Sequence, residues 1–175
     1  MANYADSLQQ QVAKAYKAKD AEQFKKYSEA FLAMLDDMDR LLATRKDFLL
    51  GKWLADAKAW GTNQQERALY EMNARDLITL WGDKKSPLHE YSSRQWSGLI
   101  KNFYRARWQQ FFDYAGDCLK TGKPMDVKAF EEKMEDWEWN WVNAKEVYPV
   151  TTSGDAVEVS KEIHKKYRDL LRKVY

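Results

Sequence analysis

The chain has 175 residues, of which 45% are hydrophobic, and this amount of apolar material suits one domain with one core. Its 29 Lys and Arg nearly balance its 27 Asp and Glu, and the charges are interspersed, so the sequence lacks the basic face of a nucleic-acid-binding protein. It also lacks the run of about 18 apolar residues that spans a bilayer, and we therefore expect neither nucleic acid nor membrane as a partner.

Gly and Pro are rare and fall between segments in which apolar residues recur every three or four positions, a pattern that predicts helices. The first predicted helix runs from Tyr4 to about Lys19. The second follows Asp20, which we expect to cap the helix with Gln23 as its reciprocal partner, and it runs to about Ala43.

Two further start signals, each a Thr followed three positions later by Asp or Gln, predict the third and fourth helices. These signals are Thr44 with Asp47 and Thr62 with Gln65. The third helix should end at about Trp60 and the fourth at about Trp81, with Gly61 between them.

The remaining helices follow from the same periodicity. A helix over 93–121 carries apolar and aromatic residues on more than one face, which predicts a central position. The next has an apolar residue every three or four positions from Val127 to Tyr148 and is ended by Pro149. The last covers 155–175. We therefore predict a single all-α domain over residues 1–175, an irregular bundle of about seven helices.

The connection from Trp81 to Tyr91 differs from the others. It is long for a turn in a helical bundle, it contains the helix breakers Gly82 and Pro87, and it begins and ends with an aromatic residue. Loops on a rigid scaffold often carry binding residues. From the residues alone, a surface loop held down by its two aromatic ends is the plainer interpretation.

The sequence has few residues in patterns that could catalyse a reaction or bind a metal. Glycoside hydrolysis needs two carboxylates held across the scissile bond, whereas the acidic pairs at 131–132 and 135–136 lie on an amphipathic helix and are better explained as a solvated face. His89, His164 and Cys118 have no spacing typical of metal ligands, and the single cysteine is expected to be a buried thiol. We predict no metal, no cofactor and no catalytic residue in this chain.

Three arginines lie among apolar residues, where a charge needs a partner. They are Arg75, Arg94 and Arg107, all placed on predicted helices. They could organise an interface with another domain, or they could form ion pairs within the domain. Possible partners within the domain are Glu71, Asp76 and Asp113.

A series of motifs follows in order through the central part of the chain. The motifs are LLA at 41–43, FLLGKWL at 48–54, YEMNAR at 70–75, LITLWG at 77–82, GLIKNFY at 98–104 and RW at 107–108. Together they resemble the C-terminal helical domain of α-N-acetylglucosaminidases, glycoside hydrolase family 89. The similarity is strongest between Leu41 and Trp108, and Arg105 and Ala106 depart from a family pattern that has Pro before the Arg-Trp pair.

The resemblance implies a longer, retaining glycosidase in which a (β/α)8 barrel carries two catalytic glutamates and the helical domain packs beside it. Such enzymes remove terminal non-reducing α-linked N-acetyl-D-glucosamine, from heparan sulfate in animal lysosomes or from host glycans in bacterial relatives. The implied partners are the barrel of the same protein and a glycan ending in N-acetylglucosamine. A bacterial protein would be periplasmic or extracellular, although these residues show no targeting signal. This chain alone should be inactive.

The family also contributes pocket residues at the Trp of its Leu-Thr-Leu-Trp-Gly motif and just after it. The resemblance therefore implies that Trp81 and Tyr91 bind substrate. It implies the same for Leu88 less directly, because the loop is about one residue longer here than in the animal relatives. Two alternatives stay open: a purely structural buttress of the barrel, and an independent helical carbohydrate-binding or interaction module. By itself the domain should expose an apolar patch where the barrel packs, and it could form a homodimer through that patch.

Overall fold

The structure is a computed structural model that describes residues 2–171. Over these residues the chain forms seven α-helices, which confirms the predicted all-α domain. They are α1 (Ala2–Lys17), α2 (Ala21–Leu42), α3 (Leu50–Ala59), α4 (Gln64–Leu77), α5 (Ala106–Thr121), α6 (Val127–Asn143) and α7 (Ala156–Leu171). A 3-10 turn covers Lys46–Phe48, and a π-helical segment, Ile100–Arg105, leads directly into α5. None of the helices in this described part of the chain has the length and apolarity needed to cross a membrane.

The hydrophobic interior consists of two clusters. One lies between α1, α2, α5 and α7 and includes Phe31, Met34 and Phe112. The other lies between α3, α4 and α6 and includes Leu50 and Phe103. The helical stretch that contains the π-helical segment and α5 supplies residues to both clusters, so its predicted central position is confirmed. Full burial of a side chain such as Phe103 stabilises the fold by about 2 kcal/mol relative to exposure.

The predicted start of α2 is confirmed in part. Asp20 caps the helix, since the backbone N–H of Gln23 donates to its carboxylate at 2.9 Å. The reciprocal role of Gln23 was wrong, because the N–H of Asp20 already donates to the carbonyl of Ala15 at the end of α1.

Thr44 does not open α3, and that prediction was wrong. Its hydroxyl donates to the carbonyl of Leu41 at 2.7 Å and closes the last turn of α2. The helix begins at Leu50 instead of Asp47, because the chain first pairs with Ser97: the N–H of Ser97 donates to Phe48 and its carbonyl accepts from Leu50.

The start of α4 lies one residue later than the Thr62 and Gln65 signal predicted. The carboxamide of Asn63 accepts the backbone N–H of Glu66 at 2.9 Å. Glu66 in turn accepts hydrogen bonds from the N–H and the hydroxyl of Thr62, both at 2.8 Å. Asn is at least as good a cap as Thr, and the Asn63–Glu66 pair satisfies the backbone N–H groups of both Glu66 and Thr62.

Several predicted helices are too long. The fourth ends at Leu77, and the sixth ends at Asn143, so that Tyr148 lies in an irregular segment. The central helix begins near Leu99 instead of position 93, since Gly98 has a φ of 89° and breaks the helix. The predicted last helix is present up to Leu171, and its remaining positions, 172–175, lie outside the described residues.

An aspartate on α2 caps the central helix from a distance in sequence. One oxygen of Asp39 accepts the backbone N–H of Gly98 at 2.7 Å and that of Lys101 at 3.1 Å, and the other accepts the hydroxyl of Ser97 at 3.1 Å. These bonds satisfy amide groups that the first helical turn leaves unpaired. They fix the connection that leads out of the 81–91 loop.

Arg75 is completely buried and joins three parts of the second cluster. Its guanidinium lies 3.3 Å from Glu71, donates to the carbonyl of Glu146 at 2.7 Å, and stands over the rings of Trp141 and Tyr148. Of the two possibilities for this arginine, the ion pair within the domain with Glu71 is confirmed. Cys118 is buried, as predicted.

Candidate functional site

The loop from Trp81 to Tyr91 follows directly after a short segment that is buried in the core. The three residues before it, 78–80, are each at most 2% exposed. Trp81 then adopts a φ of 55°, a left-handed conformation that costs an L residue with a large side chain about 1–2 kcal/mol. Its N–H donates to the carbonyl of Asp76 at 2.9 Å, and the N–H of Gly82 reaches the carboxylate of Asp76. These bonds hold Trp81 in its strained conformation.

The end of the loop returns to its beginning. Glu90, with a φ of 59°, donates its N–H to the carbonyl of Thr79 at 2.6 Å. Within the loop, the hydroxyl of Ser86 donates to the carbonyl of Trp81 at 3.3 Å and accepts the N–H of Leu88 at 3.2 Å. The loop is therefore a closed structure with defined backbone contacts.

The structure brings two of the three predicted site residues into contact. The rings of Trp81 and Tyr91 lie 5.0 Å apart at 72°, an edge-to-face arrangement. Trp81 is partly buried, whereas Tyr91 is 73% exposed. Leu88 is connected to this pair through its carbonyl, which accepts the N–H of Tyr91 at 3.1 Å, and its side chain is half exposed. A sugar lying on these residues would need a second wall from outside the chain.

A cluster of charged residues lies beneath the end of the loop. Arg107 forms ion pairs with Glu90 and Glu138, donating to the latter at 2.8 Å, and the Nδ1 atom of His89 lies 3.5 Å from Glu138. Burial works against the charge of Arg107, but the two carboxylates outweigh it and raise its pKa above the ordinary value. Burial and the nearby Glu90 also raise the pKa of Tyr104 to about 12.

Sequence reasoning missed this cluster. Arg107 has an intradomain partner as one interpretation predicted, but the partners are Glu90 and Glu138 instead of Asp76 or Asp113. Glu138 is 4% exposed, and its position four residues from Met134 and from Val142, both buried, was a signal that it faces the interior.

The other charged candidates are ordinary surface residues. Arg94 is exposed in the connection before the central helix and does not lie on a helix, so its predicted position was wrong. The acidic residues of α6 at 131, 132 and 136 are exposed, and Asp136 forms an ion pair with Lys84 of the loop. Their exposure agrees with the interpretation that these acidic residues form the solvent-facing side of an amphipathic helix.

An apolar surface, which we call the 48/77/96 surface, adjoins the end of the loop. Phe48 and Leu77 are 42% and 40% exposed there. Beside them Trp53 and Trp96 are partly buried with their rings 5.5 Å apart, and residues 92–95 complete the groove. Apolar groups that project in this way are typical of surfaces that contact another protein region.

Comparison with known families decides where this fold belongs. The sequence model of the "Alpha-N-acetylglucosaminidase (NAGLU) C-terminal domain" matches residues 1–166. The chain belongs to this family. The human α-N-acetylglucosaminidase is 35% identical to it over 134 residues, which cover 77% of this chain and 18% of the human protein.

Solved structures agree with this assignment. The family 89 glycoside hydrolase of Clostridium perfringens in complex with PUGNAc is 32% identical, with a TM-score of 0.83, and the match covers 95% of this NAGLU C-terminal domain and 20% of that enzyme. A variant of the same enzyme in complex with its substrate, GlcNAc-α-1,4-galactose, is 31% identical, with a TM-score of 0.83 over 99% of this chain and 20% of the enzyme. The chain thus spans about a fifth of the length of these relatives.

Proposed function

We propose that this chain is the helical part of an α-N-acetylglucosaminidase that removes terminal α-linked N-acetylglucosamine, and that its 81–91 loop forms one wall of the sugar pocket. The whole enzyme's activity is suggested by relatives that bear this name or bind GlcNAc-α-1,4-galactose as substrate. The proposal places the catalytic residues in the part of the enzyme that these relatives have and this chain lacks.

The carboxylates of this chain support that division. Among residues 2–171 the buried carboxylates are Glu71 and Glu138, and both are paired with arginines. A glycosidase instead needs two carboxyl groups about 5–10 Å apart that face the substrate. The role proposed for this domain is therefore to bind and orient the sugar and to exclude water, not to transfer protons.

The observation that carries the proposal is the strained, partly exposed Trp81 with its ring edge-on to Tyr91. Strained backbone is retained where the surrounding structure enforces it, and it is concentrated at binding and active sites. Aromatic faces suit the C–H groups of a pyranose ring and the methyl of an acetamido group, since they offer apolar area at little cost in conformational entropy. Leu88 would extend this apolar wall from the same loop.

The 48/77/96 surface would attach the domain to the catalytic barrel. It directly adjoins residue 92, the residue after Tyr91, so a barrel packed on this surface would also lie against the loop. Packing there would remove Phe48 and Leu77 from water and would supply the second wall of the pocket. When the 175-residue chain is alone, the same surface could pair with a second copy.

The experiment is a kinetic comparison of two tryptophan variants in the full-length protein that contains this chain. Trp81→Ala should lower kcat/KM for an aryl α-N-acetylglucosaminide by about tenfold or more, because one apolar face of the pocket is lost. Trp60→Ala is the matched control, since Trp60 is 79% exposed at the end of α3, and its kcat/KM should stay within about twofold.

The structural alternative gives the opposite pattern. If the domain only buttresses the barrel, Trp81→Ala lowers the thermal stability of the enzyme, while kcat/KM of the folded fraction equals that of Trp60→Ala. Equal kinetics in the two variants would overturn the proposed pocket role.

A further inference from the structure

Arg107 connects three separate parts of the chain. It lies on α5, two residues after the end of the π-helical segment, and its guanidinium contacts Glu90 at the end of the loop and Glu138 on α6. The same guanidinium lies over the rings of Phe103 and Tyr104, with distances of 5.4 and 5.7 Å to the ring centres. Since this planar group contacts two aromatic rings and two carboxylates, its orientation is tightly constrained.

The charges in this cluster depend on one another. The side chain of Glu138 is only 5% exposed, so it needs a cation, and Arg107 provides it at 2.8 Å. Arg107 then presents its second edge to Glu90, whose own backbone is in the left-handed region. Because Tyr91 is the next residue, holding the Glu90 carboxylate in this position also constrains the orientation of the Tyr91 side chain.

Two other side-chain contacts link the loop to α6, and both are weaker. The Nδ1 atom of His89 lies 3.5 Å from Glu138, a pair in which the imidazole is charged only when it is protonated. Lys84 pairs with Asp136, but their side chains are 37% and 66% exposed. Ion pairs of this kind contribute about 0–1 kcal/mol. The end of the loop that carries Tyr91 therefore depends mainly on Arg107 and on the bond from Glu90 to the Thr79 carbonyl.

We propose that Arg107 is a positioning residue for the 81–91 loop: through Glu90 it holds Tyr91 against Trp81. What the loop is for rests on the proposed function, whereas the geometry of the loop can be measured without any substrate. The role is one of positioning, because Arg107 acts through Glu90.

The chain offers a closely matched control two residues away. Arg105 has the same side chain at similar exposure, 29% against 27%, and it pairs with Asp36 on α2 at 2.8 Å. Removing its charge breaks an ion pair of the central helix without touching the loop. Arg107→Met and Arg105→Met therefore differ mainly in whether the loop loses a contact.

The test is amide hydrogen exchange of the 175-residue chain. Arg107→Met and Glu90→Gln should raise the exchange rates of the Glu90 and Tyr91 amides about tenfold or more, because their bonds to Thr79 and Leu88 open more often. Arg105→Met should leave these rates within about twofold. Glu90→Gln keeps the test decisive should Arg107→Met fail to fold, since the amide has the shape of the carboxylate and Arg107 stays in place to pair with Glu138.

Two results would overturn the proposal. In one, the amides of residues 90 and 91 exchange in Glu90→Gln at the rate of the parent protein. In the other, Arg105→Met raises these exchange rates as much as Arg107→Met does. Kinetics of Glu90→Gln in the full-length protein separate this inference from the function on which it rests. Faster exchange with a KM raised several-fold supports both. Faster exchange with unchanged kinetics supports the positioning role and contradicts the pocket function.

Discussion

At the scale of single residues, the most constrained side chain is Arg75. It is fully buried, and its contacts extend from Glu71 on its own helix to the carbonyls of Trp141 and Glu146. Its guanidinium carbon lies 5.0 and 5.3 Å from the centres of the Trp141 and Tyr148 rings. Glu71 also forms an ion pair with Lys58 of α3 at 3.0 Å. Arg75 and Glu71 together therefore connect α3, α4 and the segment after α6.

Arg75→Met should therefore destabilise the domain by about 3 kcal/mol or more. The substitution keeps much of the apolar volume, but it leaves Glu71 with Lys58 as its one partner and removes the guanidinium that donates to the carbonyl of Glu146. Urea unfolding followed by circular dichroism measures the change. Arg45→Met, at an exposed position after α2, is the control and should change the stability by less than about 0.5 kcal/mol. Equal midpoints for the two variants would show that Arg75 is not a structural centre.

The sequence allowed part of this cluster to be predicted. Arg75 and Glu71 are four residues apart on one predicted helix, which places them on the same face, and that ion pair is confirmed. Glu146 and Trp141 contribute backbone carbonyls. Every residue has such a carbonyl, so the sequence does not indicate which ones will accept a hydrogen bond from Arg75. The pairing of Arg107 with Glu90 and Glu138 was missed for a related reason, since it joins residues on three elements that only the tertiary fold brings together.

At the scale of elements, one close approach fixes the segment after α6 on α3. A Cβ atom at Gly51 would lie 2.2 Å from the carbonyl oxygen of Pro149 and 2.4 Å from that of Tyr148. These are backbone atoms, so a rotamer change cannot relieve the overlap. By contrast, a Cβ atom at Gly116 in α5 would lie 3.6 Å from the ring of Phe24, an ordinary contact.

Two glycine substitutions in helices should then have opposite effects. Gly51→Ala should destabilise by about 2 kcal/mol or more, because the irregular segment must move away from α3. Gly116→Ala should stabilise by up to about 1 kcal/mol, since alanine favours the helix and loses less backbone entropy on folding. Thermal unfolding of the two variants checks both signs. A Gly51→Ala variant as stable as Gly116→Ala would contradict the close approach.

Element boundaries were predictable where a local signal acts alone. Asp20 caps α2 as the sequence indicated, because its carboxylate and the N–H of Gln23 are brought together by the helix itself. Thr44 failed because a distant partner competes: Ser97 pairs with the chain at Phe48 and Leu50 and delays the start of α3. The cap of the central helix by Asp39, some 60 positions away in sequence, had no local signal at all.

At the scale of the whole molecule, periodicity predicted an all-α domain with a central helix, and both features are confirmed. Periodicity could not supply a function, because a helical bundle is compatible with many. The motifs between positions 41 and 108 led to the family, whose model matches residues 1–166. The contact between Trp81 and Tyr91 was not predictable from spacing, since it depends on two left-handed residues, Trp81 itself and Glu90.

The central claim is that the 81–91 loop forms a wall of an N-acetylglucosamine pocket, and a crystal structure of the full-length protein with GlcNAc-α-1,4-galactose tests it most directly. The catalytic carboxylates should first be replaced by amides, so that the sugar stays intact. The account predicts atoms of Trp81 or Tyr91 within about 4 Å of the N-acetylglucosamine ring or its acetyl group. A sugar bound elsewhere, with both side chains directed into solvent or wholly enclosed in the contact with the barrel, would contradict it.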